Sequence, residues 1–250
     1  MNILLSNDDG YQAPGLQALR LELRKHYHVI TVAPDRDRSG ASHSLTLDMP
    51  LRLKEQGEQL YSLNGTPTDC VHLGLTGLDR VPDIVIAGIN HGPNLGDDVL
   101  YSGTVAAAME GRFLGHTAIA VSLNGRQTDN IPSGVQAVQS LLEKFDQFPT
   151  RSKMILNVNI PDLPWPMIRG FKMTRLGQRH KAEPVIRQHD PRGREIFWVG
   201  PTGHAADAGE GTDFHALEQG YISVTPLHSD LTHYQALQTT GDWLQGVVKP

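Results

Sequence analysis

Short apolar runs alternate with helically spaced apolar residues through the first part of the chain. The runs cover residues 3–5, 28–33, 83–87, 118–123 and 154–160. Several of them are rich in β-branched residues, which favour strands. Between the runs, Leu16, Leu19 and Leu23 share one helical face, and residues 135–145 repeat that spacing. Strands that alternate with helices form parallel sheets covered on both faces, so the pattern predicts an α/β fold with a Rossmann-like, mostly parallel sheet.

The pattern changes at two places. Between residues 44 and 65, leucines fall on odd positions around a proline, which predicts short strands or a hairpin. Beyond Pro161 the alternation fails, and Pro, Gly, Arg and His become frequent. Strand-like pieces remain at 171–174, 196–199 and 221–225, and a terminal helix is predicted at 233–244. We therefore expect an α/β core over residues 1–160 and a β-rich C-terminal extension over 161–250, which projects from the core and contacts another subunit.

Composition excludes several classes of protein. The 250 residues carry a net charge of −5 and no long basic block, which argues against binding to a nucleic-acid duplex. No run approaches the roughly 18–20 apolar residues of a membrane helix, and the N-terminus lacks the basic start of a signal peptide. We expect a cytoplasmic protein without membrane contact. Cys70 is the one cysteine, which excludes an internal disulfide and argues against a cysteine-based zinc site.

Two adjacent carboxylates, Asp8 and Asp9, follow the first predicted strand. Ligands of open parallel sheets bind at the carboxyl ends of the strands, so this position is informative. The two negative charges repel each other, and a hard cation such as Mg²⁺ or Mn²⁺ would relieve the repulsion. The sequence Asn-Asp-Asp-Gly is also favourable for a solvated turn. This segment alone leaves both interpretations open.

Oxygen-rich segments follow the next two core strands. The loop at 33–44 carries Ser39 and two arginines, which can supply a neutral oxygen ligand and a positive charge. The loop that begins at Gly88 carries Asn90 and Asn94, whose amides offer oxygens and NH₂ donors. The first loop, taken alone, is better explained as a solvated loop with internally paired charges.

Residues 101–104 lead directly into an Ala-rich helical pattern. The free N–H groups of a helix start suit a phosphate, and the hydroxyls of Ser102 and Thr104 lie beside them. Simple N-capping explains the same residues without a ligand. Three successive strands that end in such segments, however, together predict a combined metal and phosphate site at one edge of the sheet.

These segments resemble the SurE (survival protein E) family of 5′/3′-nucleotidases, in particular its bacterial members. The similarity continues in order along nearly the whole chain. The matching segments are 7–10, 33–42, 65–70, 88–94, 102–104, 191–193, 211–213 and 221–228.

The resemblance implies a ligand set and an activity. The family binds one divalent cation per subunit, Mg²⁺ or Mn²⁺, and its ligand positions match Asp8, Asp9, Ser39 and Asn90. Its phosphate-contacting positions match Asn94, Ser102, Gly103 and Thr104. The family hydrolyses nucleoside 5′- and 3′-monophosphates and short polyphosphate. It forms homodimers or homotetramers in which C-terminal segments reach across subunits.

The expected mechanism is metal-ion catalysis, in which the cation polarises a phosphoryl oxygen and lowers the pKa of a bound water. Asp8 or Asp9 is the expected catalytic base, and the sequence does not distinguish them. A dinucleotide-binding Gly-x-Gly-x-x-Gly after the first strand and a P-loop Gly-Lys-Ser/Thr are both missing. The main alternative is a sensor that binds metal and nucleotide without turnover. Base preference, 5′ against 3′ specificity and the choice of metal stay open.

Overall fold

The computed structural model describes residues 1–78, 81–125, 129–147, 154–180 and 183–247. The strands in these residues are β1 (Asn2–Ser6), β2 (His28–Pro34), β3 (Leu53–Gly57), β4 (Leu60–Leu63), β5 (Ile84–His91), β6 (Thr117–Asn124), β7 (Ile155–Pro161), β8 (Phe171–Met173), β9 (Gln178–Arg179), β10 (Ile186–His189), β11 (Glu195–Trp198), β12 (Ala205–Asp207) and β13 (Ile222–Leu227). Nine of them form one sheet in the order β3-β4-β2-β1-β5-β6-β7-β13-β8. The predicted α/β sheet is therefore confirmed.

The centre of the sheet is parallel, as predicted. Strands β4, β2, β1, β5, β6 and β7 run parallel to their neighbours, whereas β3 and β13 pair antiparallel at the two sides. The chain builds outward from β1 through β2 to β4, and then returns across β1 to β5 and β6. The order reverses between β1 and β5, and ligand-binding crevices form at such switch points.

Helices cover both faces of the sheet. They are α1 (Pro14–Leu23), α2 (Pro67–Thr76), α3 (Gly103–Phe113), α4 (Ile131–Glu143), α5 (Asp213–Glu218) and α6 (Leu237–Gln245). On one face, α1 and α4 bury apolar residues at helical spacing, including Leu16, Leu19 and Val138. On the other face, α2 and α3 pack Cys70 and Val105 against the sheet. None of the described helices is long and apolar enough to cross a membrane.

The C-terminal part does not simply project from the core. Strands β8 and β13 enter the main sheet, where β13 pairs with β7 and α5 packs nearby. The part outside this sheet consists of the β9–β12 pair and the exposed β10–β11 hairpin. Helix α6 buries none of its residues in the described chain. The division of the chain at residue 160 stays a prediction, but the main sheet takes strands from both sides of it.

The predicted hairpin between residues 44 and 65 is shorter than the leucine pattern indicated. It forms only over β3 and β4, and residues 44–52 are irregular. Leu45 and Leu47 are exposed there, so their alternation does not mark a half-buried strand. The irregular stretch is instead tied down by Thr46, whose backbone N–H donates to the Asp69 carboxylate at 3.0 Å. Hydrogen bonds to a helix start therefore replace strand pairing in this segment.

Gly15 lets α1 approach the end of β5 closely. A Cβ added to Gly15 would lie 2.2 Å from the carbonyl oxygen of Ile89, a backbone atom that cannot move aside. We predict that Gly15→Ala lowers the melting temperature, although alanine favours helix formation by about 1 kcal/mol. Overpacking typically costs about 1–3 kcal/mol, and a contact of 2.2 Å with a backbone atom lies at the upper end of that range. After the gain from alanine, a net loss of about 2 kcal/mol remains, which corresponds to at least about 4 °C in a chain of this size.

The matched control is Gly241→Ala in α6, where the added Cβ meets no atom within 4 Å. This variant should unfold at or slightly above the wild-type temperature in calorimetry. Equal melting temperatures for the wild type and both variants would contradict the close approach of α1 to β5.

Candidate metal and phosphate site

The predicted ligand positions converge at the switch point between β1 and β5. Asp8 and Asp9 follow β1, and Asn90 lies near the end of β5. The backbone N–H of His91 donates to Asp9 Oδ2 at 3.3 Å, which joins the two strand ends. The backbone N–H of Arg38 donates to the Asp8 carbonyl at 2.8 Å and brings in the loop after β2. Three segments far apart in sequence therefore meet here.

Helix α3 begins directly against Asp8. The hydroxyl of Thr104 donates a hydrogen bond to Asp8 Oδ1, and Asp8 is only 4% exposed. A Cβ added to Gly103 would lie 2.7 Å from the Asp8 Cβ, so only glycine permits this approach. The structure thus brings together a predicted metal ligand and two predicted phosphate contacts.

The two carboxylates are electrostatically unfavourable as they stand. Burial raises the pKa of Asp8, and hydrogen bonds from the Thr104 side chain and backbone oppose this shift only in part. Burial, followed by the neighbouring Asp8 charge, raises the pKa of Asp9 to about 7. Among the described residues, no Lys, Arg or His forms an ion pair with either carboxylate. An uncompensated pair of this kind, with one carboxylate buried and the other partly buried, fits a bound cation.

The side chain of Asn90 is oriented for a ligand. Its Nδ2 donates to the Gly92 carbonyl at 2.8 Å, which fixes the amide and leaves its oxygen available. Asn90 is 8% exposed, so the oxygen lies in a largely dry environment. With the carboxylates it makes an all-oxygen donor set suited to Mg²⁺ or Mn²⁺. The described residues contain no cluster of three or more His, Cys, Asp or Glu that could hold a metal.

Ser39 is turned toward a different partner in this structure. Its hydroxyl donates to Asp37 Oδ1 at 2.6 Å, its backbone N–H donates to the same atom at 2.7 Å, and the residue is exposed. Asp37 is near enough to raise the pKa values of Asp8 and Asp9 by its charge. The loop thus lies beside the carboxylates, but no contact joins Ser39 to them, and its ligand role stays a prediction.

Ser102 is the N-cap of α3. Its Oγ accepts a hydrogen bond from the Val105 backbone N–H at 3.1 Å, so the capping interpretation applies to this residue. Capping uses a lone pair and leaves the hydroxyl proton free to donate to a ligand. Capping and phosphate binding are therefore compatible at Ser102.

Asn94 is enclosed by the sheet instead of facing the crevice. Its backbone N–H donates to Asn159 Oδ1 at 2.8 Å, and its carbonyl accepts from the side chains of both Asn157 and Asn159. Its own Nδ2 donates to Ser122 Oγ at 2.7 Å. The side chain is thus engaged, and its predicted phosphate contact stays a prediction. In this structure Asn94 anchors the loop that leads to Ser102.

Asn157 and Asn159 were missed by the sequence reasoning. Both are fully buried on β7, a central strand that should be apolar on both faces. Two asparagines at positions i and i+2 of such a strand share one face and mark a buried polar network, which was a readable signal. The other end of the loop is held by Asp213, which accepts the N–H of Gly96 at 2.8 Å. The C-terminal part therefore helps to position the site.

Comparisons with known proteins identify one family along the whole chain. The family model described as "Survival protein SurE" matches residues 3–183. A protein of Alkalilimnicola ehrlichii named 5′-nucleotidase SurE is 55% identical over 251 residues, covering 100% of this chain and 98% of its own. A Methylococcus capsulatus protein of the same name is 57% identical over 249 residues, with 99% of each covered. The solved SurE protein from Aquifex aeolicus aligns with a TM-score of 0.86 at 43% identity, covering 98% and 100% of the two chains.

We predict that Asp9→Asn stabilises the metal-free protein at pH 8. The folded-state pKa of Asp9 is about 7, against 3.8 for the ordinary carboxyl, so folding favours the protonated form. The contribution of the Asp9 carboxyl to the free energy of unfolding of the wild type therefore falls as the pH rises from 3.8 to about 7. In EDTA the variant should melt about 3 °C or more above the wild type at pH 8, and the difference should shrink at pH 5.5.

Asp48→Asn removes an exposed carboxylate and serves as the control, for which we expect no such pH-dependent difference. Mg²⁺ or Mn²⁺ should raise the melting temperature of the wild type more than that of Asp9→Asn. A variant that follows the wild type at both pH values would show that the carboxylates do not repel each other as described.

Proposed function

This chain belongs to the SurE family, and on that premise we propose that it is a divalent-metal-dependent phosphatase acting on nucleoside 5′-monophosphates. The observation that carries the proposal is the uncompensated pair Asp8 and Asp9 against the first turn of α3. The name 5′-nucleotidase borne by full-length relatives supports the substrate class. Nucleoside 3′-monophosphates and short polyphosphate, which present a similar terminal phosphoryl group, are further proposed substrates.

One divalent cation, Mg²⁺ or Mn²⁺, would be held by oxygen atoms of Asp8, Asp9, Ser39 and Asn90. When bound, the cation supplies Lewis-acid chemistry, drawing electron density from a phosphoryl oxygen and making water more acidic. The buried Asp8 carboxylate, the partly buried Asp9 carboxylate and the oriented Asn90 amide support this assignment. Ser39 would exchange its hydrogen bond with Asp37 for this role.

Asp9 is the better placed of the two carboxylates to accept a proton from the attacking water. It is only partly buried, and within the part of the chain that the structure describes its side chain accepts a hydrogen bond from the His91 backbone N–H alone. Asp8 is enclosed and already accepts from Thr104. A general base must reach the proton that it removes, which favours the more accessible group.

The start of α3 would hold the phosphoryl group. The Ser102 hydroxyl and the Gly103 backbone N–H can donate to phosphoryl oxygens, and Thr104 would exchange its hydrogen bonds with Asp8 for this role. The positive end of the helix dipole favours the anion. Gly103 presents no side chain, so a ligand can approach the backbone closely. Donors fixed before the reaction stabilise charge as it develops in the transition state.

The C-terminal part would supply contacts between subunits in a homodimer or homotetramer. Helix α6 exposes Leu237, Trp243 and Leu244, and the β10–β11 hairpin exposes Phe197 and Trp198. Large apolar side chains grouped on exposed elements are typical of protein–protein contacts.

We predict that Asp8→Asn reduces phosphate release from adenosine 5′-monophosphate by at least about 1,000-fold, because a neutral amide binds a hard cation weakly. The assay compares Mn²⁺, Mg²⁺ and EDTA, and circular dichroism verifies that the variant is folded. Asp48→Asn should retain wild-type rates. If the wild type binds nucleotide and metal but releases no phosphate under any condition, the chain is a sensor and the catalytic proposal fails.

We predict that Gly103→Ala reduces kcat/KM by about 100-fold. The added methyl group would push the start of α3 away from Asp8, and misplacement by about 1 Å costs roughly this factor. Gly57→Ala on β3, where an added Cβ meets no atom within 4 Å, is the matched control and should keep its activity. Steady-state kinetics that do not distinguish the two variants would refute the close approach between Asp8 and α3.

A further inference from the structure

A largely apolar groove runs along α3 and begins at Ser102. Its volume is about 610 Å³, within the range of roughly 300–1,000 Å³ that is typical of small-molecule sites. The residues that matter to its chemistry are His43, Ser102, Met109, Leu176, Leu227 and His228.

We propose that this groove binds the nucleobase and ribose of the nucleoside monophosphate whose phosphate lies at the start of α3. The inference rests on the proposed function and adds the part of the site that recognises the nucleoside. Its basis is continuity, because Ser102 both caps the helix start and lines the groove. A nucleotide joins an anion to a flat aromatic ring, and an anion-binding helix start adjoining an apolar groove complements both parts.

The walls of the groove are suited to an aromatic ring. Met109, Leu176 and Leu227 are half-buried, so they present apolar atoms that remain accessible to a ligand. The hydroxyls of Thr174 and Thr225, which also line it, hydrogen-bond to each other at 2.7 Å. Polar atoms satisfied in this way do not oppose the burial of an apolar surface.

His43 forms a fixed aromatic edge of the groove. Its Nε2 lies 3.4 Å from Oε2 of Glu110. Its ring stacks on the ring of Phe113, with 5.4 Å between the ring centroids and an interplanar angle of 3°. Glu110 is buried on α3 and is also held by His72 Nδ1 at 2.7 Å. A ring oriented from two sides loses little freedom when a base stacks against it.

The test compares adenosine 5′-monophosphate with ribose 5-phosphate, a similar ester that lacks the base. The wild type should prefer the nucleotide in kcat/KM by at least about tenfold, since stacking on one aromatic residue has about this effect. Leu176→Trp, which fills the groove, and His43→Ala, which removes the ring, should each reduce that preference about tenfold. Leu21→Trp, at an exposed position of α1, should leave it unchanged.

A second measurement separates this inference from the proposed function. Equilibrium dialysis of adenosine in EDTA needs neither metal nor turnover, and Leu176→Trp should weaken binding about tenfold relative to Leu21→Trp. If the wild type binds adenosine but releases no phosphate from adenosine 5′-monophosphate, only the catalytic proposal is refuted. If the protein releases phosphate but Leu176→Trp and His43→Ala leave its preference for adenosine 5′-monophosphate over ribose 5-phosphate unchanged, the inference is overturned. A changed subunit number in light scattering, with base preference intact, would identify the groove as a contact between copies and overturn it too.

Discussion

The repulsion between Asp8 and Asp9 is the constraint on which the rest of the site depends. A chain free to rearrange would turn two adjacent carboxylates toward water, because burial strongly disfavours their charged forms. Here β1 lies between two parallel neighbours, which fixes the backbone that carries the pair. Gly103 then admits the start of α3 to within contact of Asp8. Packing of the sheet and helices therefore offsets an unfavourable arrangement, and a cation is the natural partner that relieves it.

Positioning extends well beyond the first-strand residues. The loop that leads to Ser102 is held at Asn94 by two buried asparagines of β7 and at Gly96 by the carboxylate of Asp213. Both supports are rigid, since one belongs to a central strand and the other begins α5. The hydrogen bonds at both supports are buried, and the low dielectric of the interior strengthens them. The C-terminal part consequently contributes to the site through structure, whether or not it also joins subunits.

Much of the core could be predicted because it depends on local pattern. Alternating apolar runs identified the parallel strands, and the carboxyl ends of those strands placed Asp8, Asp9 and Asn90 in one crevice. Strand-like pieces were predicted at β8 and β13, but their entry into the main sheet could not be, because local pattern does not specify which distant strand a segment pairs with, and β8 has only three residues. Side-chain partners were also inaccessible: Ser39 pairs with Asp37, and Asn94 pairs with Ser122, through geometry that only the folded loops define.

Helix α3 links the two halves of the proposed ligand site. Its first turn faces the phosphate position, and Ala106 and Met109 on one side line the groove. The seven helical steps from Ser102 to Met109 span about 10 Å at roughly 1.5 Å per residue, a length comparable to that of a nucleoside monophosphate. Glu110, one residue further on, fixes the His43 ring at the groove edge. Because Ser102, Ala106 and Met109 belong to one helix and its cap, the regular rise of the helix sets the spacing between the phosphate and base sites. A shift of its start relative to Asp8 would therefore disturb catalysis and base recognition together.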